Sequence, residues 1–248
     1  MSDFNIISSS YGNDSIALIQ WVHEVSSRPL TVAYCDTGWA APWWPQRVER
    51  GEALAKSYGF DTVRCKSLGM AELVRMKKGW PGNGQQFCTA HLKGLPFLQW
   101  LDEFDPACKA TILIGKRRAE SEKRRNTPHV IESSEYHGGR KVWHPLCTHS
   151  DEERNALLKR AGFEVLPHRS LECNPCVNAN RNDFLRLTPG EIERVNDLEA
   201  EIGKPMFRPK RFNAMGIHGV IAWAKDGRKR GDIDAEEAEC ASLFGCGI

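Results

Sequence analysis

Ser8-Ser9-Ser10-Tyr11-Gly12-Asn13-Asp14-Ser15 decides the reading of this chain. The apolar pair Ile6-Ile7 runs into it, and Ile16, Leu18, Ile19, Trp21 and Val22 follow with the spacing of a helix face. The order is therefore strand, small-residue loop, helix. Such a loop aims backbone N–H groups and hydroxyls at one point, and the positive end of the helix dipole adds to the field there. Phosphate is the natural occupant, with Ser8, Ser9, Ser10, Gly12, Asp14 and Ser15 as candidate contacts. The pattern S-x-G-x-D-S lacks the G-K-[ST] ending of the Walker loop. The ordinary alternative is a polar strand-to-helix turn capped by Ser10 or Asn13.

The rest of the first half alternates in the same way. Leu30 to Tyr34 reads as a strand ending at Cys35-Asp36-Thr37-Gly38, and Glu49 to Tyr58 as a helix closed by Gly59. Asp61 to Cys65 is a short strand. Leu92 to Phe104 is a helix that begins near Cys88, with Pro96 in its early part, where proline is best tolerated. Ala110 to Ile114 is a buried strand ending at Gly115. This alternation predicts an α/β fold, a mainly parallel sheet with helices on both faces. Ligands of such sheets lie at the carboxyl ends of the strands. The loops after Ile7, Tyr34 and Ile114 all lie there, so they are expected to form one site. The character changes after about residue 145: a helix over 151–161, Cys173-Asn174-Pro175-Cys176, a charged helix over 189–202, then a glycine-rich charged stretch from Lys225. The expected division is an α/β domain over 1–165 and a small Cys-containing helical extension over 166–248.

Hydrophobic residues make up 41% and charged residues 27% of the 248, as in ordinary globular proteins. A net charge of +2 gives no global field that would advertise a nucleic-acid partner, although Lys116-Arg117-Arg118, Lys123-Arg124-Arg125 and Arg228-Lys229-Arg230 are locally dense. No apolar run approaches a membrane span, so no membrane partner is expected. Met1-Ser2-Asp3-Phe4 does not open a signal peptide. The expected location is the cytoplasm, where nine cysteines argue for metal, cluster or redox chemistry over disulfides.

Four further stretches carry candidate chemistry. Asp36-Thr37-Gly38-Trp39, with Pro42 beyond, puts a carboxylate at a strand end, where it can hold a magnesium–phosphate complex, orient ribose, or simply cap its own turn. Trp39, Trp43 and Trp44 suit either a nucleobase cleft or a satellite hydrophobic cluster. Gly115-Lys116-Arg117-Arg118-Ala119-Glu120-Ser121-Glu122-Lys123-Arg124 offers guanidinium groups that match phosphate or sulfate bidentately; the alternative is a solvated basic face. Cys88, in Cys88-Thr89-Ala90-His91-Leu92-Lys93-Gly94-Leu95-Pro96, and the pair Cys173 and Cys176 are candidate metal ligands. Zinc is compatible with such a set, and inert thiols in a turn are the ordinary alternative. Cys35, Cys65 and Cys108 read as core or incidental thiols. His91 and His144 lie near the proposed chemistry or are merely packed. Met206-Phe207-Arg208-Pro209 with Lys210-Arg211 suits base stacking or ordinary packing.

Taken in order, these motifs resemble the PP-loop ATP pyrophosphatases and the adenylylsulfate and phosphoadenylylsulfate (PAPS) reductase family, over roughly residues 4–180. Ser10 to Ser15 resembles the PP-loop. Asp36 to Pro42 resembles D-T-G-[WY/H]-x-x-P, and Gly115 to Arg124 resembles G-x-R-R-x-E-S-x-x-R. Cys88 to Pro96 resembles C-C-x-x-[RL]-K-x-x-P, with Thr89 in place of the second cysteine. The resemblance implies an adenine nucleotide alpha-hydrolase-like fold over 1–165 that binds ATP with Mg²⁺. Its implied catalytic residues are Asp14, Ser15, Asp36 and Arg117. Its implied nucleotide contacts are Ser8, Ser9, Ser10, Gly12, Asp14 and Ser15, then Asp36, Thr37 and Gly38, then Gly115, Arg117, Arg118 and Arg124. Cys88, Cys173 and Cys176 match three ligands of a 4Fe–4S cluster with one open iron, and Cys147 is a candidate fourth. The tail Cys246-Gly247-Ile248 resembles the family's E-C-G-[LI]-H, with Gly245 for the glutamate and no final histidine, so Cys246 is a candidate sulfur carrier or part of a frayed end. Within the family the chain is closest in kind to DNA phosphorothioation ATPase components, with tRNA thiolases close behind. That implies adenylation of a substrate for sulfur incorporation into DNA or tRNA, with a cysteine desulfurase as sulfur donor. The alternatives are a sulfonucleotide reductase releasing sulfite and a non-catalytic nucleotide-sensing subunit. Asp14 favours the first, because PAPS-binding reductases usually lack the D-S ending.

Overall fold

The computed structural model describes residues 4–82, 86–207 and 215–226. Six strands form one sheet: β1 (Asn5–Ser9), β2 (Leu30–Asp36), β3 (Asp61–Lys66), β4 (Thr111–Ile114), β5 (Val130–Ser134) and β6 (Arg140–Trp143). Their order is β3-β2-β1-β4-β6-β5, and all pairs are parallel except β5 with β6. The order runs outward from β1 through β2 and β3 on one side and begins again at β4 on the other. The switch point between β1 and β4 is where a crevice opens at the carboxyl ends of such strands. Ser8 of β1 is in register with Ile114 of β4, so the loops after these two strands leave the sheet at one height.

Helices α1 (Asn13–Val25), α2 (Trp44–Ser57) and α3 (Met70–Lys77) connect the first strands. From Phe87 to Phe104 the chain is helical in three pieces: α4 (Phe87–Thr89), a π-helical turn (Ala90–Gly94) and α5 (Leu95–Phe104). Leu95 N–H donates to Ala90 O, five residues back. Pro96 has no N–H to give Leu92 O, so a regular α-helix is interrupted here, and the wide turn takes its place. The later helices are α6 (Asp151–Arg160), α7 (Arg181–Leu185), α8 (Pro189–Ile202) and α9 (Gly216–Lys225). Capping boxes start α6 (Ser150 with Glu153), α7 (Asn180 with Asp183) and α8 (Thr188 with Glu191).

The period-two alternation of β1 splits its isoleucines between two cores. Ile7 packs with Ile16, Leu18 and Ile19 of α1 and Leu157 and Leu158 of α6. Ile6 packs on the other face with Phe97 and Leu101 of α5, Ile112, and the buried thiols Cys35 and Cys65. A third cluster joins Trp39, Met70, Leu73 and Leu92 to Phe184, Val195, Leu198, Ile217 and Val220. Phe207 belongs to it, edge-on to Phe184 with ring centroids 4.8 Å apart, so it packs rather than offering a stacking face. The helix expected from Glu49 starts earlier, at Trp44. The β5–β6 hairpin is absent from the expectations above because its strands are half polar and joined through Gly138 and Gly139, both at positive φ.

One buried charge pair locks the sheet to α5. Arg140 Nε donates to Asp105 Oδ2 at 2.8 Å, and Asp105 also accepts from the N–H groups of Lys109 (2.9 Å) and Ala110 (3.0 Å). Burial pushes the Asp105 pKa up, but these donors and the Arg140 charge outweigh it and hold the carboxyl below 3.8. A depressed carboxylate stabilises the fold above its unfolded pKa, and that contribution is lost as pH falls below 3.8 through the folded value. Asp105→Asn should therefore cost about 3 kcal/mol at neutral pH, since it strands a buried guanidinium. In urea unfolding the gap between variant and wild type should narrow at pH 3; an equal gap at both pH values would contradict the assignment.

Candidate active site

The loop after β1 holds its own shape with its serines. Tyr11 N–H donates to Ser9 Oγ (3.1 Å), Gly12 N–H to Ser10 Oγ (3.3 Å) and Ser10 N–H to Ser15 Oγ (3.2 Å). Tyr11 sits at φ +56° with its ring buried, and Arg47 Nε donates to its carbonyl at 2.8 Å. Gly51 makes room for that ring: a Cβ there would lie 2.3 Å from Tyr11 Cδ1. Neither Ser10 nor Asn13 caps α1. Gly12 is the N-cap residue and no side chain bonds the first turn. Asn13 instead exchanges two bonds with the backbone of Leu166, at 2.9 and 3.0 Å. The first N–H groups of a helix have no intrahelical acceptor, so this end is left as a cluster of donors.

Those donors open into a cavity of about 370 Å³. Its lining includes Ser10, Gly12, Asp14 and Ser15 from the first loop and Gly115, Arg117 and Arg124 from the loop after β4. Cys88, Cys173 and Cys176 line the same cavity. The two loops nearly touch. A Cβ on Gly115 would lie 2.8 Å from Asp14 O and 3.0 Å from Asp14 C, so only glycine permits this approach.

Arg117 crosses between them. Its Nε donates to Asp14 Oδ1 at 2.6 Å, Nη2 to Asp151 Oδ1 at 2.8 Å and Nη1 to His149 O at 3.3 Å. Burial opposes its charge, and the Asp14 and Asp151 carboxylates outweigh burial, so its pKa is raised above the usual arginine value. The expected anion contact is thus committed to positioning Asp14. Arg118 does not line the cavity: it is exposed and donates to Thr127 O at 2.9 Å. Arg124 does line it, paired with Glu120.

Other expectations are redirected. Ser8 and Ser9 are buried within β1. Asp36 is exposed and accepts from Gly38 N–H at 2.9 Å, so it caps its own turn, outside the cavity lining. Thr37 Oγ1 donates to Glu172 O at 2.5 Å, tying that turn to the segment carrying Cys173. Trp39 is buried, its Nε1 donating to Pro175 O (3.2 Å), and Trp44 is buried in the main core, so both are packing residues; Trp43 is 39% exposed against Trp44 and His168, outside the cavity lining. His144 Nδ1 donates to Pro128 O (2.7 Å), and burial pushes its pKa down to about 4. Neither it nor His91 lines the cavity. Cys246, Arg208, Lys210 and Arg211 lie outside the described residues.

Lys93, on the π turn, forms a buried ion pair with Glu172, the neighbour of Cys173. Burial pushes the Cys173 thiol up to about 12, against the opposing pull of Lys93. The donor chemistry of Cys88, Cys173 and Cys176 fits an iron–sulfur cluster. Their positions do not: among the described residues no group of three or more His, Cys, Asp or Glu is placed to hold a metal ion. Cys147 is buried outside the lining, its backbone bonded to His144 O (3.1 Å) and Arg118 N–H (2.9 Å), so it is no fourth ligand here. Arg154 and Arg169 line the cavity without any motif to announce them; the legible signal was the Ser150 to Glu153 cap that sets the start of α6.

Gly115→Ala should part the two loops. We expect a stability loss of about 1–3 kcal/mol by urea unfolding, typical of overpacking against fixed backbone. An unchanged midpoint would show that the loops do not need this contact.

Residues 5–176 match the phosphoadenosine phosphosulfate reductase domain family. A 37.8 kDa protein in the gpa 5' region of Escherichia phage 186 is 24% identical, over 80% of this chain and 75% of the phage protein. The U34-tRNA thiolase NcsA from Methanococcus maripaludis, solved with its [4Fe-4S] cluster, shares the fold with TM-score 0.50 at 12% identity, covering 100% of this chain and 83% of its own. NMN synthetase from Francisella tularensis also superposes with TM-score 0.50, at 11% identity, covering 84% and 90%. Among the described residues no helix is long and apolar enough to cross a membrane. The chain belongs to the phosphoadenosine phosphosulfate reductase domain family, within the PP-loop adenine nucleotide alpha-hydrolase-like superfamily.

Proposed function

We propose that this protein is an ATP pyrophosphatase that adenylates a substrate for sulfur incorporation, with nucleic acid, DNA or tRNA, as the acceptor class. One observation carries the reading: Asp14 and the uncapped N-terminus of α1 share a cavity with Cys88, Cys173 and Cys176. The triphosphate lies against the α1 donors, with Lys116 and Arg124 spreading its charge. Asp14, held by Arg117, is the carboxylate that would hold Mg²⁺, a cation that takes one or two carboxylates and completes its shell with phosphates and water. The acceptor oxygen attacks the α-phosphorus, the bond to the β-phosphate oxygen breaks, and pyrophosphate leaves. The outer sulfur of a persulfide supplied by a cysteine desulfurase then displaces AMP, and a second thiol reduces the resulting disulfide bond, freeing the thio-product and leaving a disulfide between the two thiols. Cys88, Cys173 and Cys176 line the same cavity as thiols, and as placed they are not a cluster site. Residues 166–248 act as the appended part that brings the cysteine pair to the nucleotide.

The family match supports a second reading, reduction of a sulfonucleotide with release of sulfite. A third, a sensing subunit, would bind nucleotide without turnover. Pyrophosphate release from ATP separates the first from both.

Asp14→Asn should reduce pyrophosphate release to background and, because it removes one of the two carboxylates that pair the buried Arg117, also lower the melting temperature, so release is compared on protein shown by circular dichroism to be folded; unchanged turnover would remove Asp14 from the chemistry.

A further inference from the structure

Arg117 and Asp14 are half of a closed ring. Arg154 Nη1 donates to Asp14 Oδ1 at 3.4 Å and Arg154 Nη2 to Asp151 Oδ1 at 3.3 Å, opposite the 2.6 and 2.8 Å bonds that Arg117 makes to the same two atoms. Two guanidinium groups and two carboxylates therefore alternate around one edge of the cavity. The two arginines are not equivalent. Arg117 makes bonds of charge-assisted length and its side chain is 2% exposed; both Arg154 bonds are about half an ångström longer than such bonds prefer, and its side chain is 12% exposed. Its shortest bond, 2.7 Å, goes from Nε to the neutral Asn155 amide and leaves the two Nη groups toward the ring.

We propose that Arg154 is the phosphate-contacting and specificity-determining residue of this site, the group that selects a triphosphate chain over a nucleoside monophosphate. The inference rests on the triphosphate reading given above. Asp151 and Arg154 stand in the first turn of α6, which the Ser150 capping box fixes and which Leu157 and Leu158 anchor against α1. The guanidinium is thus delivered to the mouth of the phosphate loop by a rigid element. When an anion enters, Arg154 gives up two long bonds. Asp14 keeps Arg117, and Asp151, 59% exposed, is already solvated, so neither carboxylate is left buried without a partner. A phosphate oxygen then gains a fork of charged donors. Asp151 acts here as a competitor for the guanidinium.

The test is isothermal titration of the full chain with ATP, AMP and inorganic tripolyphosphate. Arg154→Ala should weaken ATP and tripolyphosphate by about tenfold or more, the loss expected for one charge-assisted bond, and leave AMP within about twofold. Arg154→Lys should recover part of the loss. Asp151→Asn should tighten tripolyphosphate, because a competitor is gone; a merely structural Asp151–Arg154 pair would weaken binding in both variants. Equal losses for AMP and ATP, or no loss at all, would overturn the proposal while leaving the triphosphate site intact. Wild-type protein that binds neither ATP nor tripolyphosphate would overturn the triphosphate reading itself, and this inference with it.

Discussion

The near contact between Gly115 and the backbone of Asp14 is the constraint from which the site follows. β1 and β4 run in register, so their carboxyl-terminal loops rise together. The missing side chain at residue 115 lets them close to a distance that no other residue permits. Arg117, two residues further on, then falls beside Asp14 and is buried there. A buried guanidinium is tolerable only when paired, so the loops cannot separate without leaving that charge uncompensated. The fold thus delivers a carboxylate of fixed position to the open end of α1, and α6 closes the arrangement from the side with Asp151 and Arg154.

The remaining lining comes from segments distant in sequence, and each is tied down by specific bonds. Asn13 holds Leu166 through both of its amide atoms, and Thr37 holds Glu172. Asn174 N–H bonds Trp39 O at 2.8 Å beside the bridge between Trp39 and Cys173. Lys93 reaches the same segment from the π turn that Pro96 imposes. The donors of the first loop and the thiols therefore meet in one cavity although more than 150 residues separate Ser10 from Cys173 in the chain. That meeting is what a reaction joining nucleotide activation to sulfur chemistry needs.

Much of this was legible because the signals are local. A β-branched pair before a serine and glycine loop, an apolar helix face after it, and a buried strand stopping at Gly115 specify β1, α1 and β4 and the height of their loops. The partners of the charged residues were not legible. Arg117 finds Asp151 34 positions away, and nothing in the basic run Lys116 to Arg118 says which carboxylate folding will bring to which guanidinium. A dense basic motif read as three equivalent anion contacts separates on folding into a buried clamp, Arg117, an exposed side chain bonded to the Thr127 carbonyl, Arg118, and an ion-paired lining residue, Arg124. Asp36 had three readings, and its own turn supplied the carboxylate's donor at Gly38. The tryptophans were ambiguous for a related reason: aromatic residues serve clefts and cores alike, and only the third cluster, invisible in local pattern, decides for Trp39. The β5–β6 edge escaped because its strands carry too few apolar residues to show an alternation.

The central claim is that one nucleotide lies across both loops at the switch point of the sheet. Amide hydrogen exchange with and without ATP tests it directly. Protection gained together over residues 10–16 and 115–124 is the result this account predicts. Protection confined to one of those loops, or gained only elsewhere in the molecule, would contradict it.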